Sequence, residues 1–288
     1  YLIFLNHQSM VFCSHIWYTV KSMSNIVVLF KYTFDPDEVR IDSKTRKPVF
    51  EGVNKKINEF DKNAIEEAVR LKEKLGGKII AVTFSDDPEA KGALGARDAL
   101  ARGADEAYVI LDESAGYGDP NVTAFVLSNF VKNVVKDFKL ILAGSVSVDN
   151  STGLVPHKVA KLLGIPSISY IVGIEEIDGD RAVLKRRLGS IVEKLEISLP
   201  AVIGVEMEIN EPRIPKLLDI TRARKKPLNE LSLEQIGVTK DQIEGIRMQR
   251  TIDMIAPELK RKRIKIEDKT IEEMAKEFVE TLKKEGIL

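Results

Sequence analysis

Cysteine, histidine and tryptophan are scarce in this sequence, and their scarcity excludes several kinds of chemistry. The 288 residues include 1 cysteine, 3 histidines and 1 tryptophan. A single cysteine forms no internal disulfide. So few thiol and imidazole groups argue against a metal site and against hydrolases that depend on a positioned histidine. We therefore expect a protein of a reducing, cytoplasmic compartment with no resident metal.

An excess of charge of either sign is also absent. Lysine and arginine number 44, as do aspartate and glutamate, so no overall field would draw the chain to nucleic acid or to an anionic membrane. Against that balance the basic run at 260–265 is weak support for nucleic-acid binding, and we predict no such partner. The hydrophobic share of 44% is sufficient for one large domain.

The first 24 residues differ in composition from the rest of the chain. They hold its only cysteine and its only tryptophan. Polar residues interrupt their apolar runs, which argues against a transmembrane helix, and the basic start of a secretory signal is missing. We interpret residues 1–24 as a non-native or upstream-start extension, with Met23 as the candidate start, and we predict no stable membrane insertion.

From Asn25 onward, predicted strands and helices alternate. Short apolar runs predict buried parallel strands at 25–32, 78–85, 107–111, 140–144 and 168–177. Helical spacing predicts helices at 62–75, 88–103, 120–136 and 154–163. The alternation predicts an α/β fold with a mostly parallel sheet and helices on both faces. Three further runs between 181 and 209 predict a meander that closes the sheet.

The carboxyl ends of these strands are the expected ligand site, because ligands in such sheets bind beyond them. The ends fall after Phe30, Phe84 and Gly144. The stretch at 143–164, AGSVSVDNSTGLVPHKVAKLLG, offers backbone N–H groups and small hydroxyls at a helix start, where a phosphate is well placed. An ordinary capped connection is the alternative. Neither GxGxxG nor GxxxxGK[ST] occurs, so no dinucleotide fingerprint or P-loop is present.

The chain beyond Asn210 turns polar and loses its periodicity. We interpret residues 229–288 as a long C-terminal arm that lies on another subunit, with docking on its own domain as the alternative. Its end regains a helical pattern: Thr270 and Glu273 form a capping box. One apolar stripe follows, made of Ile271, Met274, Phe278, Val279 and Leu282.

Four stretches together resemble the β subunit of electron-transfer flavoproteins. They are EGVNKKINEFDKNAIEEAVRLKE (51–73), ARDALARGADEAYVI (96–110), the stretch at 143–164, and LPAVIGVEMEINEPRIPKLLDITRARKKPL (199–228). The most specific element is Asn210-Glu211-Pro212-Arg213, and the resemblance covers about residues 25–228. It implies a Rossmann-like fold of the adenine-nucleotide-binding superfamily. It also implies a nucleotide-binding domain at 25–228, and an arm at 229–288 that contacts an α subunit.

The resemblance implies an electron carrier rather than an enzyme. Proteins of this family are heterodimers whose FAD is held mainly by the α subunit and overhung by the β subunit. The β subunit's own pocket holds AMP in simple carriers and a second FAD in the electron-bifurcating branch. The implied partners are acyl-CoA or related flavin dehydrogenases as electron donors and a quinone oxidoreductase as acceptor, in a process such as fatty acid oxidation.

Carried over position by position, the resemblance also implies the cofactor-binding residues. Leu29 and Phe84 would enclose the adenine, with simple core packing as the alternative. Asp149 would bind local N–H groups or a ribose hydroxyl. The remaining implied residues are Asn58, Glu59, Phe60 and Asp61 before the first helix, and Asn150, Ser151, Thr152, Gly153, Leu154 and Val155 around the phosphate.

Leu217 matches the exposed leucine with which this family anchors itself on dehydrogenase partners. A basic rim would surround it, made of Lys216, Arg222, Arg224, Lys225 and Lys226. The alternative is that Leu217 packs on a neighbouring helix and the basic run is a solvated face.

The sequence departs from the family pattern at three places. Asn58 is followed by Glu59 where the family has proline, and the phosphate loop reads Leu-Val-Pro-His at 154–157 where the family has Gln-Val-Gly-Pro. Gly-Ser-Ile at 189–191 replaces the family's Asp-Gly-Gly. AMP and FAD therefore both remain open. Two further readings are a freestanding adenine-nucleotide-binding sensor and a nucleotide-activating ligase or pyrophosphatase. The ligase would need an SGGxDS-type loop where this chain has FKYTFDPD.

Overall fold

A computed structural model describes residues 8–13, 16–21, 24–258, 261–267 and 269–288. The predicted extension at 1–24 falls largely on residues whose side chains lie outside this description. Of its backbone, Gln8–Cys13 pairs antiparallel with Ile16–Lys21. The described chain forms two compact units, one of Tyr1–Arg40 with Val49–Met254 and one of Ile41–Pro48 with Ile255–Leu288.

A nine-stranded sheet forms the centre of the larger unit. In chain order its strands are β1 (Ile26–Leu29), β2 (Ile79–Ser85), β3 (Glu106–Leu111), β4 (Leu140–Gly144), β5 (Ser167–Asp178), β6 (Arg181–Leu188), β7 (Ile191–Ser198), β8 (Ala201–Val205) and β9 (Leu228–Leu231). Their order across the sheet is β7-β6-β5-β8-β4-β1-β2-β3-β9. The pairs from β5 to β9 are parallel, and β5-β6 and β6-β7 are antiparallel. The predicted α/β class with a mostly parallel sheet is confirmed.

Helices cover both faces of this sheet. The helices are α1 (Glu59–Leu75), α2 (Ala96–Arg102), α3 (Pro120–Phe130), α4 (Val155–Leu163), α5 (Leu217–Ala223), α6 (Lys240–Ile246) and, in the smaller unit, α7 (Ile271–Lys284). One hydrophobic cluster joins Ile26 and Val28 of β1 to α1 and α2. The other joins Val27 and Leu29 of the same strand to α3 and α4. Successive side chains of one strand thus enter opposite layers, as a strand buried on both faces requires.

Shorter elements connect the main ones. Strands of two or three residues lie at Tyr32–Phe34, Arg40–Ile41, Pro48–Val49 and Lys55–Ile57, and short helical turns lie at Pro88–Lys91, Glu113–Tyr117, Met207–Ile209 and Glu234–Ile236. The helix predicted at 88–103 is therefore a short turn followed by α2. The helix predicted at 120–136 is α3 followed by a wider π-turn at Val131–Val135.

The predicted meander at 181–209 is only partly correct. β5, β6 and β7 form an antiparallel edge, but β8 leaves that edge and inserts between β4 and β5, parallel to both. Every residue of β8 is buried, whereas residues of β7 are exposed or half-buried. An unbroken apolar run belongs in the sheet interior, because a central strand is covered on both faces.

The chain continues to build the larger unit after residue 228, where the sequence predicts the start of an arm. β9 pairs in parallel with β3, and four apolar side chains behind it are buried: Leu233, Ile236, Val238 and Ile243. Each of these elements is too short to produce a periodic signal. The assignment of domain and arm by function stays a prediction.

Candidate functional site

A cleft opens at the carboxyl ends of β1, β2 and β4, the edge at which a parallel sheet is expected to bind a ligand. It contains about 790 Å³ of space, part of it open to solvent. Residues that follow these strands form its walls, together with the starts of α1, α3 and α4.

The structure brings most of the predicted binding residues to this cleft. Two of its walls carry Leu29, Asn58, Asp61 and Phe84. The loop between β4 and α4 contributes Asn150, Thr152, Gly153, Leu154 and Val155. Their role as nucleotide ligands stays a prediction.

Four predicted residues do not line the cleft. The Glu59 carboxylate pairs with Lys56 and Lys62 at 2.8 and 2.9 Å. Phe60 packs beside Gly144: its Cβ lies 2.5 Å from the point where a Cβ on that glycine would stand. Asp149 pairs with Lys31, and the Ser151 hydroxyl donates to the backbone oxygen of Ser147 at 3.1 Å.

Asn58 and Asp61 hold the base of the cleft together. Asn58 Nδ2 donates to the oxygen of Val146, and its Oδ1 accepts from the N–H of Val148, both at 3.0 Å. Asp61 accepts from the N–H of Lys31 after β1 and from the N–H of Gly144 at the end of β4, both at 2.7 Å. One side chain therefore joins two strand ends.

Asp61 is 5% exposed, and its ionisation is shifted accordingly. Burial raises the pKa of its carboxyl to about 6, against the lowering effect of the two backbone N–H groups it accepts from. The effect of burial on the pKa is the larger one, because the charged carboxylate loses its hydration and two neutral donors replace only part of that hydration.

The loop that begins α4 has donors without protein partners. In the part of the chain that the structure describes, the N–H groups of Thr152, Gly153, Leu154 and Val155 donate to no acceptor. Gly153 has φ +64°, a conformation that favours glycine and turns the backbone into the helix. Unpaired N–H groups at a helix start beside a cleft suit an anion.

Lys31 is the only cationic side chain among the described residues that line the cleft. Its Nζ lies 2.5 Å from Oδ2 of Asp149. Burial raises and the Lys31 ammonium lowers the pKa of Asp149, with a net lowering. This ion pair therefore connects the end of β1 to the loop between β4 and α4.

The predicted adenine pair serves the core as well as the cleft. Leu29 and Phe84 line the cleft, yet they are 3% and 8% exposed and belong to the cluster under α3 and α4. The core packing considered as the alternative is therefore present, and the role of both side chains in enclosing an adenine stays a prediction.

Sequence reasoning missed the wall that follows β3, as well as Lys31. Ala115, Gly118 and Pro120 line the cleft there. Leu111 ends β3, so the rule that ligands bind beyond the carboxyl ends of parallel strands applies there too. The small residues of DESAGYGDP, which follow Leu111, were the signal in the sequence that could have indicated this wall. Lys31 carried no motif, because a single lysine after a strand is common.

A second set of contacts fixes the segment that contains Asn210-Glu211-Pro212-Arg213. Asn63 of α1 donates to the backbone oxygen of Asn210 at 2.8 Å, and Asn210 Nδ2 donates to Glu67 at 3.0 Å. Arg213 pairs with Glu66 at 2.7 Å and with Glu73 at 3.0 Å. The diagnostic motif is thus the attachment of this segment to α1.

Leu217 begins α5 just beyond this attachment and is 79% exposed. Its neighbours Ile214 and Leu218 are exposed too. Leu217 is therefore not packed on a neighbouring helix, which was the alternative prediction from the sequence. Of the predicted basic rim, Lys226 differs. Its Nζ donates to the oxygens of Leu100 and Ala104 at 2.9 and 2.7 Å, so it closes the end of α2 instead of standing on a free surface.

Comparison with known proteins gives consistent matches. A family model described as Electron transfer flavoprotein domain matches residues 49–236. The chain is 38% identical over 263 residues to a Bacillus subtilis protein named electron transfer flavoprotein subunit beta, covering 91% of this chain and 98% of that protein. A protein of the same name from Thermoanaerobacterium thermosaccharolyticum is 36% identical over 220 residues, covering 76% and 82% of the two chains. A protein of Acetobacterium woodii named Caffeyl-CoA reductase-Etf complex subunit CarD is 33% identical over 216 residues, covering 75% and 81%.

Proposed function

We propose that this protein carries electrons as one half of a heterodimer. The premise is that the chain belongs to the electron transfer flavoprotein family, as a β subunit. The electrons pass through an FAD that this chain and an α subunit bind jointly. When bound, FAD supplies the redox chemistry, the acceptance and release of electrons. The chain itself binds, orients and encloses. A freestanding sensor, the alternative from the sequence, belongs to a different class of protein, and the family favours the subunit.

We propose that the cleft beside α4 holds an adenine nucleotide, AMP in the simple form of the carrier. The observation that carries this is the run of unpaired N–H groups from Thr152 to Val155 on the cleft wall. Backbone donors held rigidly at a helix start bind phosphate oxygens with little loss of conformational freedom. Lys31 adds the positive charge that a phosphate requires.

The apolar walls fit the base of such a nucleotide. Leu29 and Phe84 face the cleft at the ends of β1 and β2, and Val155 and Leu127 also line it. A flat aromatic base between apolar side chains buries its faces and leaves its edges for polar contacts. Asn150 and Thr123 on the same walls offer those contacts.

We propose that α7 docks on the α subunit. The helix begins with the predicted capping box: the Glu273 N–H donates to Thr270 Oγ1 at 3.3 Å, and the Thr270 N–H donates to Glu273 at 3.0 Å. None of its residues is buried in the described chain, and Ile271 and Phe278 are 78% and 56% exposed. An amphipathic helix with an uncovered apolar stripe gains most of its stability when a partner covers it.

We propose that Leu217 anchors the chain on its electron donors, flavin dehydrogenases such as the acyl-CoA dehydrogenases, with a quinone oxidoreductase as acceptor. The exposed apolar group of Ile214, Leu217 and Leu218 stands beside the basic side chains of Lys216 and Arg222. A small apolar anchor in a charged rim suits a short-lived contact. The corresponding process is fatty acid oxidation in the cytoplasm. No helix of the described residues is long and apolar enough to cross a membrane.

A second candidate is an electron-bifurcating carrier with a second FAD in the same cleft. The relative named Caffeyl-CoA reductase-Etf complex subunit CarD favours it, since that name places a similar chain in a complex with a reductase. The loop donors would then bind the diphosphate of FAD in place of the AMP phosphate.

Co-expression with the neighbouring α-subunit gene tests both candidates. The complex is purified, and the FAD and AMP released on denaturation are measured per heterodimer. One FAD with one AMP supports the simple carrier, and two FAD without AMP support the bifurcating form. Absence of both a partner and a flavin would contradict the proposed function. A Gly153→Val variant, which disturbs the loop alone, should lose the cleft nucleotide and retain the shared FAD.

A further inference from the structure

We propose that Lys31 is the phosphate-recognition residue of the cleft, and that Asp149 holds its ammonium group until a nucleotide phosphate replaces the carboxylate. The inference rests on the proposed nucleotide site and goes beyond it. It assigns the choice between a phosphorylated and an unphosphorylated ligand to one ion pair.

The backbone of Lys31 is fixed, while its side chain is able to move. Its N–H donates to the buried Asp61 carboxylate, which also accepts from Gly144. The position of the lysine at the end of β1 is therefore set by the sheet. Its four-carbon stem leads to the cleft, and a lysine ammonium is a point charge that exchanges one oxygen partner for another without a geometric requirement.

The ion pair keeps this ammonium group beside the loop. Asp149 immediately precedes Asn150, which lines the cleft, and the unpaired N–H groups begin at Thr152. The side chains of Lys31 and Asp149 are 39% and 30% exposed. Pairs this open to water contribute little stability, so exchanging the carboxylate for a phosphate is energetically inexpensive.

Lys31 matters for phosphate binding because its positive charge offsets the carboxylates in and beside the cleft. Among the described residues on the cleft walls, Lys31 and Asp61 are the only side chains with an ordinary ionisable group. Asp61 is committed to two backbone N–H groups, and it adds negative charge at the base. A phosphate would therefore meet carboxylates at Asp61 and Asp149, and among the described residues that line the cleft Lys31 is the only cation that offsets them. Without Lys31 the cleft should still accept a nucleoside but disfavour its phosphate.

Direct binding measurements on the heterodimer separate the two contributions. The complex is freed of the cleft nucleotide, and binding of AMP, adenosine, ADP and FAD is measured by calorimetry. Lys31→Gln should weaken AMP by about tenfold or more, the value of a lost charge-assisted hydrogen bond, and leave adenosine unchanged. Asp149→Asn should strengthen AMP relative to adenosine, because it removes the competing carboxylate. The ADP and FAD arms show whether a terminal phosphate or an internal diphosphate responds to Lys31.

Lys72→Gln is the matched control. Lys72 pairs with Asp105 at 2.5 Å, and the two side chains are 33% and 28% exposed, yet neither lines the cleft. It should leave the affinity for all four ligands unchanged. Equal losses of AMP and adenosine in Lys31→Gln, or no loss of AMP, would overturn the role of Lys31 while leaving the nucleotide site intact. If the wild-type complex bound none of the nucleotides, the proposed site and this inference would fall together.

Discussion

Arg213 donates to both carboxylate oxygens of Glu66, with Nε 2.7 Å from Oε2 and Nη2 3.1 Å from Oε1. Its backbone N–H adds a third donor at 3.2 Å. Glu66 lies in the middle of α1 with a side chain only 5% exposed. This one buried carboxylate therefore fixes the segment that leads to the exposed Leu217.

Neutralising Glu66 should destabilise the protein. In Glu66→Gln an amide nitrogen faces donors of Arg213 or Arg70, so we expect the free energy of unfolding to fall by about 2 kcal/mol. Urea unfolding of the heterodimer measures it. Glu73→Gln is the control, because Glu73 pairs with the same arginine at 3.0 Å but is 59% exposed, and we expect a change within about 0.5 kcal/mol. Equal effects of the two variants would show that burial of Glu66 is not what matters.

Truncating Leu217 should weaken the contact with the electron donor. Leu217→Ala removes apolar surface that is 79% exposed in the isolated chain, so unfolding should be unaffected. We expect the KM for this protein in dehydrogenase-driven reduction to rise about tenfold with kcat little changed, as for loss of one anchor side chain. Ile252→Ala is the control, since Ile252 is 96% exposed and lies outside this segment. An unchanged KM in Leu217→Ala would remove the anchor role.

Much of the fold was predictable because its signals are local. The unbroken apolar runs of β2 and β4 identify buried strands, and Gly76 after α1 identifies a helix end. The position of β8 was not predictable, because an apolar run indicates burial but not which strands it pairs with. β9 was not predicted for a different reason: a strand of four residues is too short to show a periodic pattern of apolar side chains.

The site was predictable to the extent that it follows topology. The strand ends marked the stretches after Phe30, Phe84 and Gly144 before any contact was known, and the family resemblance then named Leu29, Phe84 and the loop at 149–155. The roles of Asn58 and Asp61 were not predictable, since they are set by hydrogen bonds between residues more than 80 positions apart in sequence, such as Asp61 to Gly144. The pairing of Lys31 with Asp149 joins residues that are even further apart in sequence, and no sequence pattern indicates it.

Adding one methyl group at Gly144 should disrupt the join between α1 and β4. A Cβ there would stand 2.5 Å from Phe60 Cβ and 2.7 Å from Asp61 Oδ1. We expect Gly144→Ala to lower the free energy of unfolding by about 2 kcal/mol or more, with loss of cleft nucleotide. Gly245→Ala is the control: it lies within α6 with open space around it, and alanine there should be neutral or stabilising by up to about 1 kcal/mol. Thermal and urea unfolding compare them, and a neutral Gly144→Ala would contradict the close approach.

The buried carboxylate of Asp61 should give the protein a pH-dependent stability of unusual sign. Its folded pKa of about 6 lies above the ordinary value of 3.8, so between these values the folded state binds more protons than the unfolded state. The stability of the wild type relative to Asp61→Asn should therefore fall by roughly 3 kcal/mol as the pH rises from about 4 to about 6, and stay level above.

Asp119 supplies a control of opposite sign within the same protein. Burial raises its pKa, but donors from Gln249, Asn121 and Met248 outweigh this and lower it overall. The wild type should therefore exceed Asp119→Asn in free energy of unfolding by its full amount above the unfolded pKa of 3.8. This difference should shrink as the pH decreases below that value. Urea unfolding of the three proteins from pH 3 to pH 8, about the accessible range, measures both slopes. A stability difference for Asp61→Asn that rises between pH 4 and pH 6 would show that Asp61 is stabilised as a charge, because its two backbone donors would then outweigh the loss of hydration.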